Sequence, residues 1–236
     1  MSKNKNIILI SLMFNLILSC FIIYFIFFRL DEDDIFNKTK GSIVELKCVS
    51  LFGESYSTAI CYSENKLITN AHCVTYQYFN QDTIFDKYFM RIHGDSEYLE
   101  INLETYSLEE DLAILTFDDD EIKPIPIISS INIGYGDKVF AVGNAFNYGL
   151  SITCGNISIP LLKVSYDNKS RLVIQCDLVI NEGNSGGALI DSQGRMIGMT
   201  TFRLKDDMGN VNYGISYCIP SDIILSYIQN YDEYES

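Results

Sequence analysis

Three short segments of this 236-residue chain carry side chains suited to acyl-transfer chemistry. LITNAHC presents His72 after an apolar run, EEDLAIL places Asp111 before another, and NEGNSGGAL holds Ser185 in a glycine-rich turn. A serine hydroxyl becomes an effective nucleophile when a neighbouring imidazole accepts its proton. That imidazole needs a carboxylate on its other nitrogen, which fixes the tautomer and stabilises the protonated ring. Together the three residues predict a site for nucleophilic attack on a carbonyl.

The glycines around Ser185 have a chemical role of their own in this hypothesis. Gly183 allows the backbone to turn so that its amide and that of Ser185 converge on one point, with Asn184 between them. Such a pair of donors stabilises an oxyanion, and losing one donor costs about 3 kcal/mol of transition-state stabilisation. Each segment taken alone also fits a structural role, as a core histidine, a turn aspartate or a tight turn.

The rest of the sequence predicts the strands that must position these residues. After Gly41, apolar or alternating runs of roughly five to ten residues, rich in Val, Ile, Tyr, Phe and Thr, are separated by turn residues. This pattern is typical of an all-β sandwich or barrel. Residues 112–115 and 139–142 are apolar throughout, as buried strands are. A helix is expected over 221–229, where apolar residues recur on one face.

The N-terminal segment predicts a membrane anchor. Residues 7–28 are uncharged and strongly apolar, and as a helix they would be long enough to cross a bilayer. Basic residues precede this run and acidic residues follow it, so the N-terminus is expected in the cytoplasm and the remainder outside. Residues 1–30 are therefore predicted as the anchor and 31–40 as a charged linker. A cleavable signal peptide and a lipoprotein signal around Cys20 stay open as alternatives.

The composition excludes several classes of protein. With 17 basic and 31 acidic residues and a net charge of −14, the chain lacks the clustered cations that a general affinity for nucleic acid requires. A hydrophobic share of 47% excludes a disordered chain. Neither C-x-x-C nor a paired Cys/His spacing occurs, so we predict no metal and no cofactor. His93, the other histidine, is expected in a surface turn.

The three segments together resemble the trypsin/chymotrypsin-like serine peptidases and, within them, the HtrA/Deg-like branch. TNAHCV is similar to the T-N-x-H-V block of that branch, DLAIL to its D-[LI]-A-[VIL]-L block, and NEGNSGGALID to its N-x-G-N-S-G-G-P-L block. Weaker similarity links VFAVGNAFNYGLSITCGNIS and YGISYCIPSD to further stretches of the branch. The resemblance covers about residues 41–230, and no PDZ-like module is evident after them.

This resemblance implies two six-stranded antiparallel β-barrels with the site in the cleft between them. Barrel one is expected over about 41–130 and barrel two over about 131–220, within a peptidase domain of 41–230. A short C-terminal helix would close the second barrel, followed by a tail at 231–236. In secreted trypsin-like enzymes a cysteine after the histidine forms a disulfide, for which Cys61 is the candidate partner of Cys73. Buried free thiols are the alternative.

The resemblance also implies roles for individual residues. His72 would be the general base, Asp111 its orienting partner and Ser185 the nucleophile, with Gly183, Asn184 and Ser185 forming the oxyanion hole. The specificity pocket and the edge strand that pairs with the substrate would comprise Val179, Ile180, Thr201, Phe202, Arg203, Ser216 and Tyr217. No acidic residue stands in this set, so a substrate Arg or Lys would be buried without a partner. A small or medium aliphatic residue is therefore expected before the scissile bond.

These observations favour a membrane-anchored, extracytoplasmic serine endopeptidase that acts on proteins or peptides through an acyl-enzyme. One alternative is a catalytically inactive peptidase-like module that uses the cleft for binding. Another is a secreted enzyme similar to the glutamyl endopeptidases. The sequence leaves the oligomeric state open, a homo-oligomer included.

Overall fold

The structure is a computed structural model that describes residues 2–27, 30–166, 169–202 and 214–235. In chain order its helices and strands are α1 (Ser2–Phe27), α2 (Glu32–Thr39), β1 (Ile43–Ser50), β2 (Gly53–Ser63), β3 (Lys66–Thr69), α3 (Ala71–Val74), β4 (Thr75–Tyr78), β5 (Gln81–Ile84), β6 (Lys87–Ile92), β7 (Leu99–Ser107), β8 (Leu112–Thr116), β9 (Lys138–Gly143), β10 (Ser151–Tyr166), β11 (Lys169–Cys176), β12 (Ala188–Asp191), β13 (Met196–Phe202), β14 (Ser216–Pro220) and α4 (Ser221–Glu235). Short 3₁₀ turns lie at Lys40–Ser42, Ser130–Asn132 and Ala145–Asn147.

Most of the strands belong to two closed barrels. Barrel one joins its strands in the order β1-β2-β3-β8-β7-β6, and barrel two in the order β10-β11-β14-β13-β12-β9. Hairpin β4–β5 stands outside both barrels and follows α3 directly. The mostly β fold with a C-terminal helix is therefore the one that the sequence predicts.

The two barrels pack against each other through an apolar core that lies between them and is separate from the interior of either barrel. Strand β8 sends Ala113 and Leu115 into the interior of barrel one, while Leu112 and Ile114 enter the core between the barrels. Residues 139–142 of β9 divide in the same way between the interior of barrel two and that shared core. Because both faces of these strands are buried, both sequences are apolar without alternation.

The segment 31–40 is a helix and not the predicted linker. The Asp31 carboxylate accepts the Asp34 amide at 2.9 Å, and the Asp34 side chain accepts the Asp31 amide, which makes a capping box. Ile35 is fully buried in the core between the barrels. Three acidic residues in the first turn also suit the positive end of the helix dipole. The acidic residues of the segment therefore cap and stabilise a helix that buries Ile35.

The C-terminal helix is longer than predicted. Helix α4 continues to Glu235, through most of the segment expected as a tail. Ile224 and Tyr227 pack into the core between the barrels, and Tyr231, one turn further, is partly buried against the same core. Asp222 in the first turn accepts hydrogen bonds from the Ser130 amide at 2.9 Å and from its hydroxyl at 2.6 Å. These contacts fix the helix across both barrels.

Helix α1 covers most of the segment predicted to cross a membrane. Between Ile7 and Phe21 the helix exposes large apolar side chains, from Leu18 at 44% to Ile10 at 67%. Among the described residues, however, no helix has both the length and the apolar character that a membrane span requires. The structure therefore does not show the predicted anchor.

All seven cysteines are free. The predicted bridge between Cys61 and Cys73 is wrong, because the Cys61 thiol donates to the Ser63 carbonyl at 3.2 Å. Burial raises the pKa of Cys61 to about 11, so this thiol is almost wholly protonated at neutral pH. Cys48, Cys176 and Cys218 are buried as well and pack as small apolar side chains.

Candidate active site

His72 lies on the one-turn helix α3, which begins as strand β3 leaves the wall of barrel one. Its neighbours Ala71, Cys73 and Val74 are buried and anchor the turn in barrel one. The His72 side chain is 47% exposed and faces the cleft. A short strand ending in small residues thus presents one imidazole on a fixed backbone.

Asp111 lies at the entrance of β8 and is bound to His72. Nδ1 of His72 is 2.9 Å from both Oδ1 and Oδ2 of Asp111, and the His72 amide donates to Oδ1 at 3.1 Å. The Thr201 hydroxyl donates to Oδ2 at 2.9 Å. Asp111 has φ +58°, a left-handed conformation that a short polar residue tolerates better than most. Nδ1 therefore carries the ring proton towards Asp111.

The two groups shift each other's titration. Burial raises the pKa of Asp111, but the adjacent His72 and, more weakly, Arg171 together lower it by more. The pKa of Asp111 therefore lies below its ordinary value. Desolvation lowers the pKa of His72, but Cys73 and Asp111 raise it by more, and the pKa lies well above its ordinary value. The pair therefore favours an ionised carboxylate beside a ring that takes up a proton readily.

Ser185 sits in a turn that only glycines can form. Gly183 and Gly186 have φ of +92° and +80°. A Cβ on Gly186 would overlap the Thr58 carbonyl and the Thr69 hydroxyl, and one on Gly183 would overlap the Asn144 carbonyl. The turn is thus pressed against barrel one on one side and the strand end of β9 on the other.

The amides of Gly183 and Ser185 are available to a ligand. The Phe146 amide donates to the Glu182 carbonyl at 2.7 Å, which directs the opposite end of that peptide, the Gly183 N–H, away from Phe146. Within the part of the chain that the structure describes, neither the Gly183 nor the Ser185 amide has an acceptor. Both residues line the same cavity of about 620 Å³ as His72. Two free amides beside a serine suit an anionic oxygen.

Ser185 and His72 do not share a hydrogen bond among the described residues. The Ser185 hydroxyl instead donates to the Thr201 carbonyl at 2.9 Å. The structure therefore brings His72 and Asp111 into contact and places Ser185 in the same cavity, with its hydroxyl held by barrel two.

Two buried polar side chains, which sequence analysis did not single out, connect barrel one to the turn that carries Ser185. The Asn70 amide group donates to the Asp111 carbonyl at 3.1 Å and accepts the Gly186 amide at 2.7 Å. The Thr58 hydroxyl donates to the Gly183 carbonyl at 2.7 Å, and its amide donates to the Ser185 carbonyl at 3.0 Å. Asn70 stands two residues before His72 in TNAHCV, and this position is the signal that could have identified it.

The predicted specificity residues have mixed surroundings. Ile180 packs in the core of barrel two, the Ser216 hydroxyl donates to the Cys176 carbonyl at 3.2 Å, and Val179 is exposed. The Tyr217 and Phe202 rings stack at 5.4 Å.

Phe202 lines a second cavity of about 340 Å³ that His72 also borders. Thr201 binds Asp111, a contact that the sequence did not predict. Arg203 lies outside the described residues, so the preference before the scissile bond stays a prediction. His93 lies in an exposed turn, with its ring 5.3 Å from that of Phe36.

We expect Asn70→Ala to lower the free energy of unfolding by about 1–3 kcal/mol, because it removes the donor of the buried Asp111 carbonyl and leaves the Gly186 amide with the Thr200 carbonyl as its remaining acceptor. Urea denaturation followed by circular dichroism measures the change. Asn102→Ala, at an exposed position of β7, is the matched control and should change stability by less than about 0.5 kcal/mol. Equal stabilities of the two variants would show that the bridge contributes nothing.

Comparison with known proteins places this chain in a family. The chain matches the family model of the trypsin-like peptidase domain over residues 57–199, which is more than half of its length. It is 39% identical over 114 residues to the serine endoprotease DegS of Haemophilus influenzae, a match that covers 48% of this chain and 34% of that protein. It is 37% identical over 114 residues to the periplasmic serine endoprotease DegP of Escherichia coli, covering 47% and 23%.

A solved structure of the HtrA-type protease AlgW with a tripeptide superposes with a TM-score of 0.75 at 27% identity, over 88% of this chain and 65% of that one. The matched part of the chain spans only 34% of DegS and 23% of DegP. The fold, the matched domain and these similarities agree, and the chain belongs to the trypsin-like peptidase family, in its HtrA/Deg-like branch.

Proposed function

We propose that this protein is a serine endopeptidase that cleaves protein or peptide substrates through an acyl-enzyme. The observation that carries the proposal is the 2.9 Å contact between His72 Nδ1 and the Asp111 carboxylate. Because this contact occupies Nδ1, Nε2 is the ring nitrogen available to Ser185, which borders the same cavity. The relatives DegS and DegP are themselves named serine endoproteases, which supports the same activity.

In the first step the Ser185 hydroxyl leaves the Thr201 carbonyl, turns towards His72 and attacks the substrate carbonyl. His72 takes the hydroxyl proton as the new C–O bond forms. The Gly183 and Ser185 amides bind the oxyanion of the tetrahedral intermediate, with Asn184 setting their spacing. His72 then gives its proton to the departing amine, and the C–N bond breaks to leave the acyl-enzyme.

In the second step a water molecule gives its proton to His72 and attacks the acyl carbon. The intermediate collapses with the proton returning to Ser185, which releases the new carboxylic acid. Asp111 remains ionised throughout and stabilises the imidazolium of His72 in both steps. The burial of Asp111 and its hydrogen bond from Thr201 support this role, since they hold the carboxylate in one orientation.

We expect a fluorophosphonate probe to label the full chain at Ser185. Labelling requires both an activated hydroxyl and donors for the developing oxyanion, so a site that lacks one of these two features reacts slowly. Ser185→Ala should abolish labelling, and Asp111→Asn should reduce its rate by about 10⁴-fold because the imidazole loses its orienting partner. Mass spectrometry of the labelled peptide identifies the modified residue.

Ser151→Ala is the control for this experiment, because Ser151 lies on β10 outside both cavities that His72 borders. It should be labelled at the wild-type rate. A chain that is folded but not labelled at any pH would contradict the proposal and favour the alternative of an inactive, peptide-binding module.

The activity should fall on the acidic side with a midpoint above about pH 6.5. A general base acts only when neutral, and the pKa of His72 is raised by Cys73 and Asp111 in spite of desolvation. Below the midpoint kcat/KM should therefore drop about tenfold for each pH unit. Initial rates on a peptide substrate between about pH 5 and 9 measure the profile, and a midpoint below 6 would contradict the assignment of His72.

We further propose that residues 7–28 anchor the chain in a membrane, with the peptidase domain on the extracytoplasmic side. The proposal rests on the uncharged apolar sequence and on the basic residues that precede it. Residues of α1 expose large apolar side chains, which an apolar surrounding would cover.

Fractionation of cells that express the full chain tests this anchor. The chain should sediment with membranes, resist high salt and be released by detergent, because apolar insertion is insensitive to ionic strength. A variant that lacks residues 1–30 is the control and should remain in the supernatant. A full chain found in the supernatant with its intact mass would contradict the anchor, and a shortened mass would indicate cleavage instead.

A further inference from the structure

One cation lies beside the Asp111 carboxylate. Arg171 stands on β11, and its Nη1 is 4.0 Å from Asp111 Oδ2. The two side chains are 13% and 9% exposed, so water screens their interaction only weakly. Nη2 of Arg171 also donates to the Leu108 carbonyl at 3.1 Å, in the turn that leads to Asp111. Arg171 therefore contacts both the carboxylate and the backbone that presents it.

The surroundings of Arg171 are poor for stability. Its Nε is buried and has no hydrogen-bond partner among the described residues. Burying a guanidinium group is costly unless its donors are matched and its charge is closely paired, and here the pair is long. An arginine at such a position is therefore better explained by its charge at Asp111 than by a contribution to folding.

Building on the function proposed above, we propose that Arg171 is a positioning residue of the reaction: it fixes the 108–111 turn and places a positive charge that disfavours protonation of His72. The charge acts on the His72–Asp111 pair as a whole. It stabilises the ionised Asp111 and opposes a second positive charge on the imidazole, so the base stays neutral at lower pH than it otherwise would.

Other charged or titratable groups surround the pair, and all of them except Lys169 are unchanged in the variants compared below. They are Cys73 on α3, Glu54 and Tyr56 on β2, Tyr76 and Asp82 on the β4–β5 hairpin, Glu109 and Glu110 in the turn before β8, Lys169 on β11, and Glu182 before Gly183. Lys169 is the informative one among them. Its Nζ donates to the same Leu108 carbonyl at 2.9 Å, but the structure records no ion pair between Lys169 and Asp111 among the described residues.

Because Lys169 and Arg171 donate to the same Leu108 carbonyl but only Arg171 pairs with Asp111, the chain offers a matched pair of variants. Lys169→Met removes one hydrogen bond to the 108–111 turn, and Arg171→Met removes an equivalent bond together with the charge at Asp111. Arg171→Lys restores a cation without the planar guanidinium. An effect of the charge should be much larger in Arg171→Met, whose cation lies at Asp111, whereas an effect of the turn should be equal in both methionine variants.

The test is an NMR titration of the full chain in detergent with ¹³C-labelled histidine. The chain has two histidines, and His93→Asn assigns the remaining signal to His72. Arg171→Met should raise the pKa of His72 by about 0.5 or more, because a nearby positive charge is lost. Arg171→Lys should recover most of the shift, and Lys169→Met should give less than half of it. The melting temperature of Arg171→Met should stay close to that of the wild type.

The pH dependence of fluorophosphonate labelling supplies the second measurement. The acidic midpoint of Arg171→Met should move upwards by the same amount, which makes labelling about threefold slower below the midpoint. An unchanged His72 titration in Arg171→Met, or an equal shift in Lys169→Met, would overturn the inference. So would an effect confined to KM for acidic peptides, which would make Arg171 a substrate contact.

The NMR titration keeps this inference separate from the proposed function. A wild-type chain that is never labelled contradicts the peptidase, whatever Arg171 does. A wild-type chain that is labelled, while its His72 titrates identically with and without Arg171, contradicts only the role of Arg171.

Discussion

The hydrogen-bonded pair of Asp111 and His72 is the interaction on which the rest of this site depends. Both residues come from barrel one, within a few residues of strand ends, so their contact is set inside one barrel. Thr201, from barrel two, completes the carboxylate's hydrogen bonds at 2.9 Å. A buried carboxylate that loses one of its donors pays a desolvation cost, and this makes the placement of the second barrel part of the chemistry.

The cleft is held together by polar bonds as well as by the apolar core between the barrels. Thr58 and Asn70 of barrel one bind the backbone on either side of Ser185, and both are fully buried. Their partners lie 125 and 116 residues away along the chain. Since buried polar groups are costly when unpaired, small displacements of the Ser185 turn are disfavoured, and the two free amides stay aligned.

The net charge of the chain differs from the balance of charges close to His72. The chain as a whole carries −14, whereas the second cavity beside His72 is lined by two cations, Lys169 and Arg171, and two carboxylates, Asp82 and Asp111. Exposed acidic residues, Asp82 among them, are screened by salt over about 10 Å, so the field at His72 is set mainly by groups that are near and at least partly buried: Asp111, Lys169 and Arg171. Local burial, more than net charge, therefore governs how the imidazole titrates.

The sequence by itself determined the strand-rich fold and the residues that could do chemistry. Alternating or continuous apolar runs specify strands and their buried faces, and glycines around Ser185 specify a turn with left-handed backbone, because both are properties of the local chain. The packing of the barrels decided the rest. It buried Ile35 and so turned a charged segment into a helix, left Cys61 and Cys73 unbridged, and brought Thr58, Asn70, Thr201 and Arg171 to the site. These contacts join residues far apart in the chain, and no local pattern of residue types encodes which distant partners the tertiary fold will bring within hydrogen-bonding distance.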